Sequence, residues 1–116
     1  MDNDSLNELC KRLEKFRDDR DWDQFHTPKN LIMAINGEAG ELASKVQWIS
    51  NSNIFMDRNI RFSELPAEMA DIFIYLVNLA NTLEIDLIEA ANLKIDDNET
   101  RYPVDIYKGI SDKAPK

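Results

Sequence analysis

Positive charge is scarce in this chain: 14 lysines and arginines stand against 22 aspartates and glutamates, a formal charge of -8. Nonspecific DNA or RNA binding needs a basic surface, so a nucleic-acid polymer is excluded as partner. Cysteine is almost absent. With Cys10 alone, neither a disulfide framework nor a cysteine-based zinc cluster can form. Three glycines and four prolines leave few turn signals, which favours long helices over many strands. The longest apolar run, near residues 72–80, is far short of the ~20 residues that span a bilayer. The acidic opening Met1-Asp2-Asn3-Asp4 lacks the basic start and apolar run of a signal peptide. The expectation is a cytoplasmic, all-α chain with no membrane partner. At 116 residues it is one domain, small enough for oligomerisation to help it.

What the chain does have is acid in odd places. Residues 27–49 read as one helix, with Thr27 as cap and Pro28 in its first turn. At about 100° per residue, Leu31, Ile35, Leu42, Val46 and Ile49 form an apolar stripe. Glu38 and Glu41 lie on its margin, at the edge of the core. Two carboxylates three residues apart repel by a few tenths of a kcal/mol, and partial burial raises the cost of each charge. Gly37 and Gly40 add about 1 kcal/mol each relative to Ala, which points to close approach by another backbone or a ligand.

Around this helix the rest falls into order. Ser5-Leu6-Asn7-Glu8 has capping-box spacing, and Leu6, Leu9, Leu13 and Phe16 extend a first helix to about Asp19, its other face charged and solvated. Arg20 to His26 is a connector carrying two aromatics and the only histidine. Ser50-Asn51-Ser52-Asn53 breaks the second helix, opening a connector to about Phe62. A calcium loop starting at Asp57 is dismissed, because Phe62 stands where its turn needs Gly. A third helix, capped by Ser63 with Pro66 in its first turn, runs to about Leu83 and is apolar almost all round. Its polar exceptions, Glu68, Asp71, Tyr75, Asn78 and Thr82, share a seam about 80° wide. Asp86 caps a fourth helix ending near Tyr102, before Pro103, on which Lys94, Asn98 and Arg101 share a face. The expected organisation is a helical domain over 1–105 and an extended or poorly ordered tail over 106–116.

The second acid pair, Glu68 and Asp71, sits at the start of the most apolar helix, where unpaired charges would cost several kcal/mol each. If the second and third helices pack antiparallel, four carboxylates converge. An all-oxygen cage suits Mg²⁺ bridging to phosphates. Neither pair is followed by the histidines a di-iron bundle needs. The reaction class this points to is phosphoanhydride hydrolysis, with Lys94 and Arg101 to neutralise outer phosphates.

Glu38-x-x-Glu41 followed by Glu68-x-x-Asp71 resembles the signature of the MazG-like all-α nucleoside triphosphate pyrophosphohydrolases. The stretches Arg20-Asp21-Trp22-Asp23-Gln24-Phe25-His26-x-Pro28-x-Asn30-Leu31, Asp71-Ile72-x-Ile74-Tyr75-Leu76 and Lys94-x-x-x-Asn98-x-x-x-Tyr102-Pro103 resemble the branch that includes dCTP pyrophosphatases. The resemblance covers roughly residues 5–105. It implies Mg²⁺-dependent cleavage between the α and β phosphates of (deoxy)nucleoside triphosphates, giving a monophosphate and pyrophosphate, as nucleotide-pool housekeeping. The preferred substrate would be dCTP or another, modified nucleotide. By position, Glu38, Glu41, Glu68 and Asp71 would be catalytic and hold the metal. Trp22, Gln24, Phe25, His26 and Asn30, with Trp48 and Tyr75, would form the base and sugar pocket. Lys94, Asn98, Arg101 and Tyr102 would meet the phosphates. One position departs from the branch: Leu13 stands where dCTP-preferring members carry a polar ring residue. The family also implies a dimer or tetramer, built from a four-helix bundle-type subunit, with active sites shared between subunits. The third helix agrees, since it has more apolar surface than three partner helices cover comfortably. The alternative is a module that holds a Mg–nucleotide without hydrolysing it; an acidic helical interaction protein is a further reading.

Overall fold

The structure is a computed structural model that describes residues 3–58 and 60–115. Every regular element among them is helical: α1 (Asn3–Asp19), a 3-10 turn (Asp23–Phe25), α2 (Pro28–Val46), α3 (Asn51–Met56), a π-helical turn (Ile60–Glu64), α4 (Leu65–Thr82), α5 (Leu87–Arg101) and α6 (Val104–Tyr107). The all-α expectation agrees with this architecture. The chain forms two compact units, one up to Glu84 and one from Ile85 onward.

In the first unit α2 packs along α4, and α1 packs on α4 as well. Thr27 caps α2, its hydroxyl accepting from Asn30 N–H at 3.3 Å, and Pro28 opens the helix. Leu31 of α2 and Val77 of α4 are the most deeply buried large side chains; Leu13 of α1, Ile60 and Ala80 are also buried. His26, just before α2, faces Tyr75 late in α4, while Glu38 meets Glu68 and Asp71 early in α4. The two helices therefore run antiparallel.

Four local expectations differ from the structure. The helix α1 starts at Asn3, so Ser5 lies inside it and cannot be its cap. Ser63 falls within the π-helical turn, and α4 starts after Glu64 with no side-chain cap. The helix α2 stops at Val46, short of the expected residue 49 and before the Ser/Asn cluster, and Ser50 caps a short helix, its hydroxyl accepting from Asn53 N–H at 3.4 Å, so the expected connector contains α3. A Cβ placed on Gly37 or Gly40 would meet nothing within 4 Å, so no part of the described chain makes the close approach inferred for them.

In the second unit Asp86 caps α5 by accepting from Glu89 N–H at 3.0 Å. Of the expected tail, residues 106 and 107 close a short helix and residues 110–115 have no regular secondary structure. Val104–Tyr107 turns helical after Pro103, and Gly109 takes φ +77°, a left-handed conformation that glycine adopts without strain. Ala114 N–H then donates to the Tyr102 hydroxyl at 3.1 Å. Tyr102 and Tyr107 pack edge to face with centroids 4.9 Å apart, so the aromatic pair fixes the return of the chain.

Candidate active site

The polar seam of α4 is the floor of the site. Its first two acids, Glu68 and Asp71, meet Glu38 of α2, and one carboxylate oxygen from each lies within 4.8 Å of the others. Glu38 and Glu68 are half-buried and Asp71 is exposed. Burial, then the negative charges of Asp71, Glu68 and Glu41, push the Glu38 carboxyl above its ordinary range. None of the ion pairs among the described residues involves the three acids. A cluster of oxygen donors that mutually disfavour their own charge fits a hard divalent cation. Glu41, one turn further along α2, is exposed and outside this triangle, although its charge still acts on Glu38.

The rest of the seam faces a cavity. Asp71, Tyr75 and Asn78 line it from α4 together with Ile74, and the volume is about 430 Å³. The opposite wall is α1, through Leu9, Arg12, Leu13, Phe16 and Arg17, with Trp22 and His26 from the connector. Asp71 belongs to both the acid triangle and the cavity wall, so the two features are one site.

The connector is held by its own hydrogen bonds. Asp21 sits at φ 54°, and the Gln24 amide donates to the Asp21 carbonyl at 2.9 Å. The Asn30 amide reaches back from α2 to the Phe25 carbonyl at 3.0 Å. Trp22 packs edge to face on Phe16 with centroids 5.5 Å apart, and its ring is 6.2 Å from that of His26, which in turn is 6.5 Å from Tyr75. His26 is half-buried and its Nδ1 has no hydrogen-bond partner among the described residues. Burial, then the Arg17 guanidinium, hold its imidazole below the ordinary range, with Asp23 opposing, so the ring is neutral near pH 7.

Of the residues expected to touch base and sugar, Trp22, His26 and Tyr75 line the cavity. Gln24 and Asn30 hydrogen-bond within the connector and are not on the cavity wall. Phe25 and Trp48 are mostly exposed and are not on the cavity wall. Lys94, Asn98, Arg101 and Tyr102 all belong to the second unit. There Lys94 Nζ pairs with Asp97 at 3.3 Å, Arg101 lies 3.9 Å from the same carboxylate, and the Asn98 carbonyl accepts from Tyr102 N–H at 2.8 Å.

Arg12, Phe16, Arg17 and Asn78 were not anticipated on the wall. Asn78 had a signal, its place in the seam beside Asp71 and Tyr75. Arg17 had none, because Arg17-Asp18-Asp19-Arg20 reads as a solvated charge run, whereas its side chain is only 15% exposed.

Residues 26–104 match the family described as MazG nucleotide pyrophosphohydrolase domain. The chain is 38% identical over 111 residues to dCTP pyrophosphatase 1 of Rattus norvegicus, an alignment covering 94% of this chain and 65% of that protein. With the Homo sapiens protein of the same name, identity is 36% over 113 residues, with the same coverage. The chain thus spans just under two thirds of the length of these relatives. A solved pyrophosphatase from Archaeoglobus fulgidus is 41% identical and superposes with a TM-score of 0.80, covering 85% of this chain and 93% of that one.

Proposed function

Because the chain belongs to the MazG nucleotide pyrophosphohydrolase family, we propose that it hydrolyses (deoxy)nucleoside triphosphates to a monophosphate and pyrophosphate, as nucleotide-pool housekeeping in the cytoplasm. The observation that carries this reading is the meeting of Glu38, Glu68 and Asp71 beside an aromatic-walled cavity. Three mutually repelling carboxylates that no described cation pairs with call for an external one, and a flat base needs the apolar wall.

In this reading Glu38, Glu41, Glu68 and Asp71 hold Mg²⁺. When bound, the metal neutralises phosphate oxygens and lowers the barrier to attack by water at phosphorus. The acids position that water and take its proton. Trp22, His26 and Tyr75 hold base and sugar, with the His26 ring neutral. Gln24, Phe25 and Asn30, on and beside the same connector, are proposed to complete the base and sugar pocket. Lys94, Asn98, Arg101 and Tyr102 are proposed to contact phosphate, and Trp48 to close over the base.

We further propose a four-helix bundle-type subunit that assembles as a homodimer or homotetramer with shared sites. Trp48 is 87% and Met56 78% exposed, large apolar side chains that a neighbouring copy would cover. The relatives named dCTP pyrophosphatase make dCTP the first substrate to test.

A screen of the common and modified deoxynucleoside triphosphates for pyrophosphate release, with and without Mg²⁺, tests the function. Metal-dependent pyrophosphate release is expected. Nucleotide binding without any turnover would instead identify a binding module.

A further inference from the structure

Arg17 is the best-fixed cation on the cavity wall. Its Nε donates to Asp23 Oδ1 at 2.9 Å, and its Nη1 donates to Oδ1 of Asn78, a residue only 3% exposed. These two bonds tie the guanidinium to the connector on one side and to α4 on the other. They use two of its five N–H donors. The other three have no acceptor among the described residues, and the side chain is 15% exposed. A cation so far withdrawn from water, with donors left over, is satisfied when a ligand brings acceptors into the cavity.

The neighbours say what kind of ligand. Leu13, Phe16, Trp22 and Ile74 line the same cavity and offer apolar and aromatic surface, which suits a flat ring better than a phosphate. We propose that Arg17 selects the nucleobase, favouring bases that present two adjacent acceptors to the guanidinium fork. Cytosine does so with O2 and N3, and guanine with O6 and N7. Adenine sets an amino donor beside N7, and thymine alternates O4, N3–H and O2, so each would leave a donor facing a donor. Leu13 supplies no polar group to compete with this reading edge. The inference rests on the cavity being the base pocket of a pyrophosphohydrolase.

The test is kcat/KM for dCTP, dGTP, dATP and dTTP with Mg²⁺, in the wild-type chain and in Arg17→Lys. The lysine keeps the charge but loses the planar fork. The wild type is expected to favour dCTP or dGTP over dATP and dTTP by about 10-fold or more, and the variant to compress that ratio to about 3-fold or less. The dCTP-to-dGTP ratio then says which edge is read. An equal loss across all four bases would assign Arg17 to the phosphates and overturn the proposal, as would an unchanged ratio. If Arg17→Lys fails to fold, Asn78→Ala, which frees the guanidinium from α4, is read by the same ratio. A wild-type chain that releases pyrophosphate from no nucleotide fails the hydrolase reading alone. Calorimetric affinities of the four monophosphates then carry the same base comparison.

Discussion

Glu38 of α2 and Asp71 of α4 hold carboxylate oxygens within 4.8 Å of each other, 33 residues apart in the chain, with Glu68 completing the triangle. Packed this way without a cation, the triangle costs stability, and bound metal turns that cost into affinity. Mg²⁺ at 100 times its dissociation constant should stabilise the wild type by about 2.7 kcal/mol. Glu38→Gln should make the metal-free chain more stable by a few tenths of a kcal/mol and abolish the Mg²⁺ shift. Thermal denaturation with Mg²⁺ and with chelator reads both effects. An equal Mg²⁺ shift in wild type and Glu38→Gln would remove Glu38 from the proposed cage.

Asp71 joins the acid triangle to the cavity, so its charge should matter more to turnover than to folding. Asp71→Asn is nearly isosteric at an exposed position and should leave the circular dichroism spectrum and melting midpoint in place. Pyrophosphate release should fall by about 100-fold or more, the scale on which a positioned acid–base group acts. Glu41→Gln sets the comparison: it belongs to the cage if its loss is similar, and drops out of it if full turnover survives.

What the sequence revealed and what it hid follow from range. Thr27 and Asp86 were legible as caps because a cap needs only its own helix three residues on. Ser63 has the same chemistry, but the chain enters α4 through a π-helical turn, and Ser50, read as a breaker of α2, instead starts a further helix after α2 has ended at Val46. The acid pairs were legible as pairs because three-residue spacing puts both members on one face. That Glu38 and not Glu41 faces Glu68 and Asp71 depends on how α2 lies against α4, which no local pattern encodes. Arg17 was illegible for the same reason, since its partner Asn78 is 61 residues away. The resemblance identified the family, but it did not mark Arg17, Arg12, Phe16 or Asn78 as wall residues.

His26 gives the first unit a pH dependence with a definite sign. The imidazole of the unfolded chain titrates near 6.5, and that of the folded chain lower, through burial first and the Arg17 guanidinium second. Between those values the unfolded chain binds more protons, so acidification favours unfolding. The stability His26 contributes is fully present above about pH 6.5 and is lost as pH falls toward the folded value. Glu38 acts in the opposite sense nearer its own range, its raised carboxyl relieving repulsion on protonation. The measurement is therefore a difference: urea midpoints of wild type and His26→Gln between pH 7.5 and 5.5. Wild type should lose more stability over that span. Parallel curves would mean that His26 does not titrate differently in the fold.

The proposed assembly makes a prediction for Trp48, Phe55, Met56 and Phe62. Trp48, Phe55, Met56 and Phe62 are each between 62% and 87% exposed, close together in sequence and large. Single exposed apolar residues are ordinary, whereas four large ones within one stretch are what the proposed assembly would cover. Burying it between copies makes stability depend on concentration by mass action. The melting midpoint should rise with protein concentration, and sedimentation velocity should show a species at least twice the 13.4 kDa of the chain. Replacing Trp48 and Met56 together by serine should shift that species toward monomer without changing the helical signal, because neither side chain belongs to the buried core. A concentration-independent midpoint with a monomer at every loading would show that this surface stays open to water, and the proposal of shared sites would fall with it.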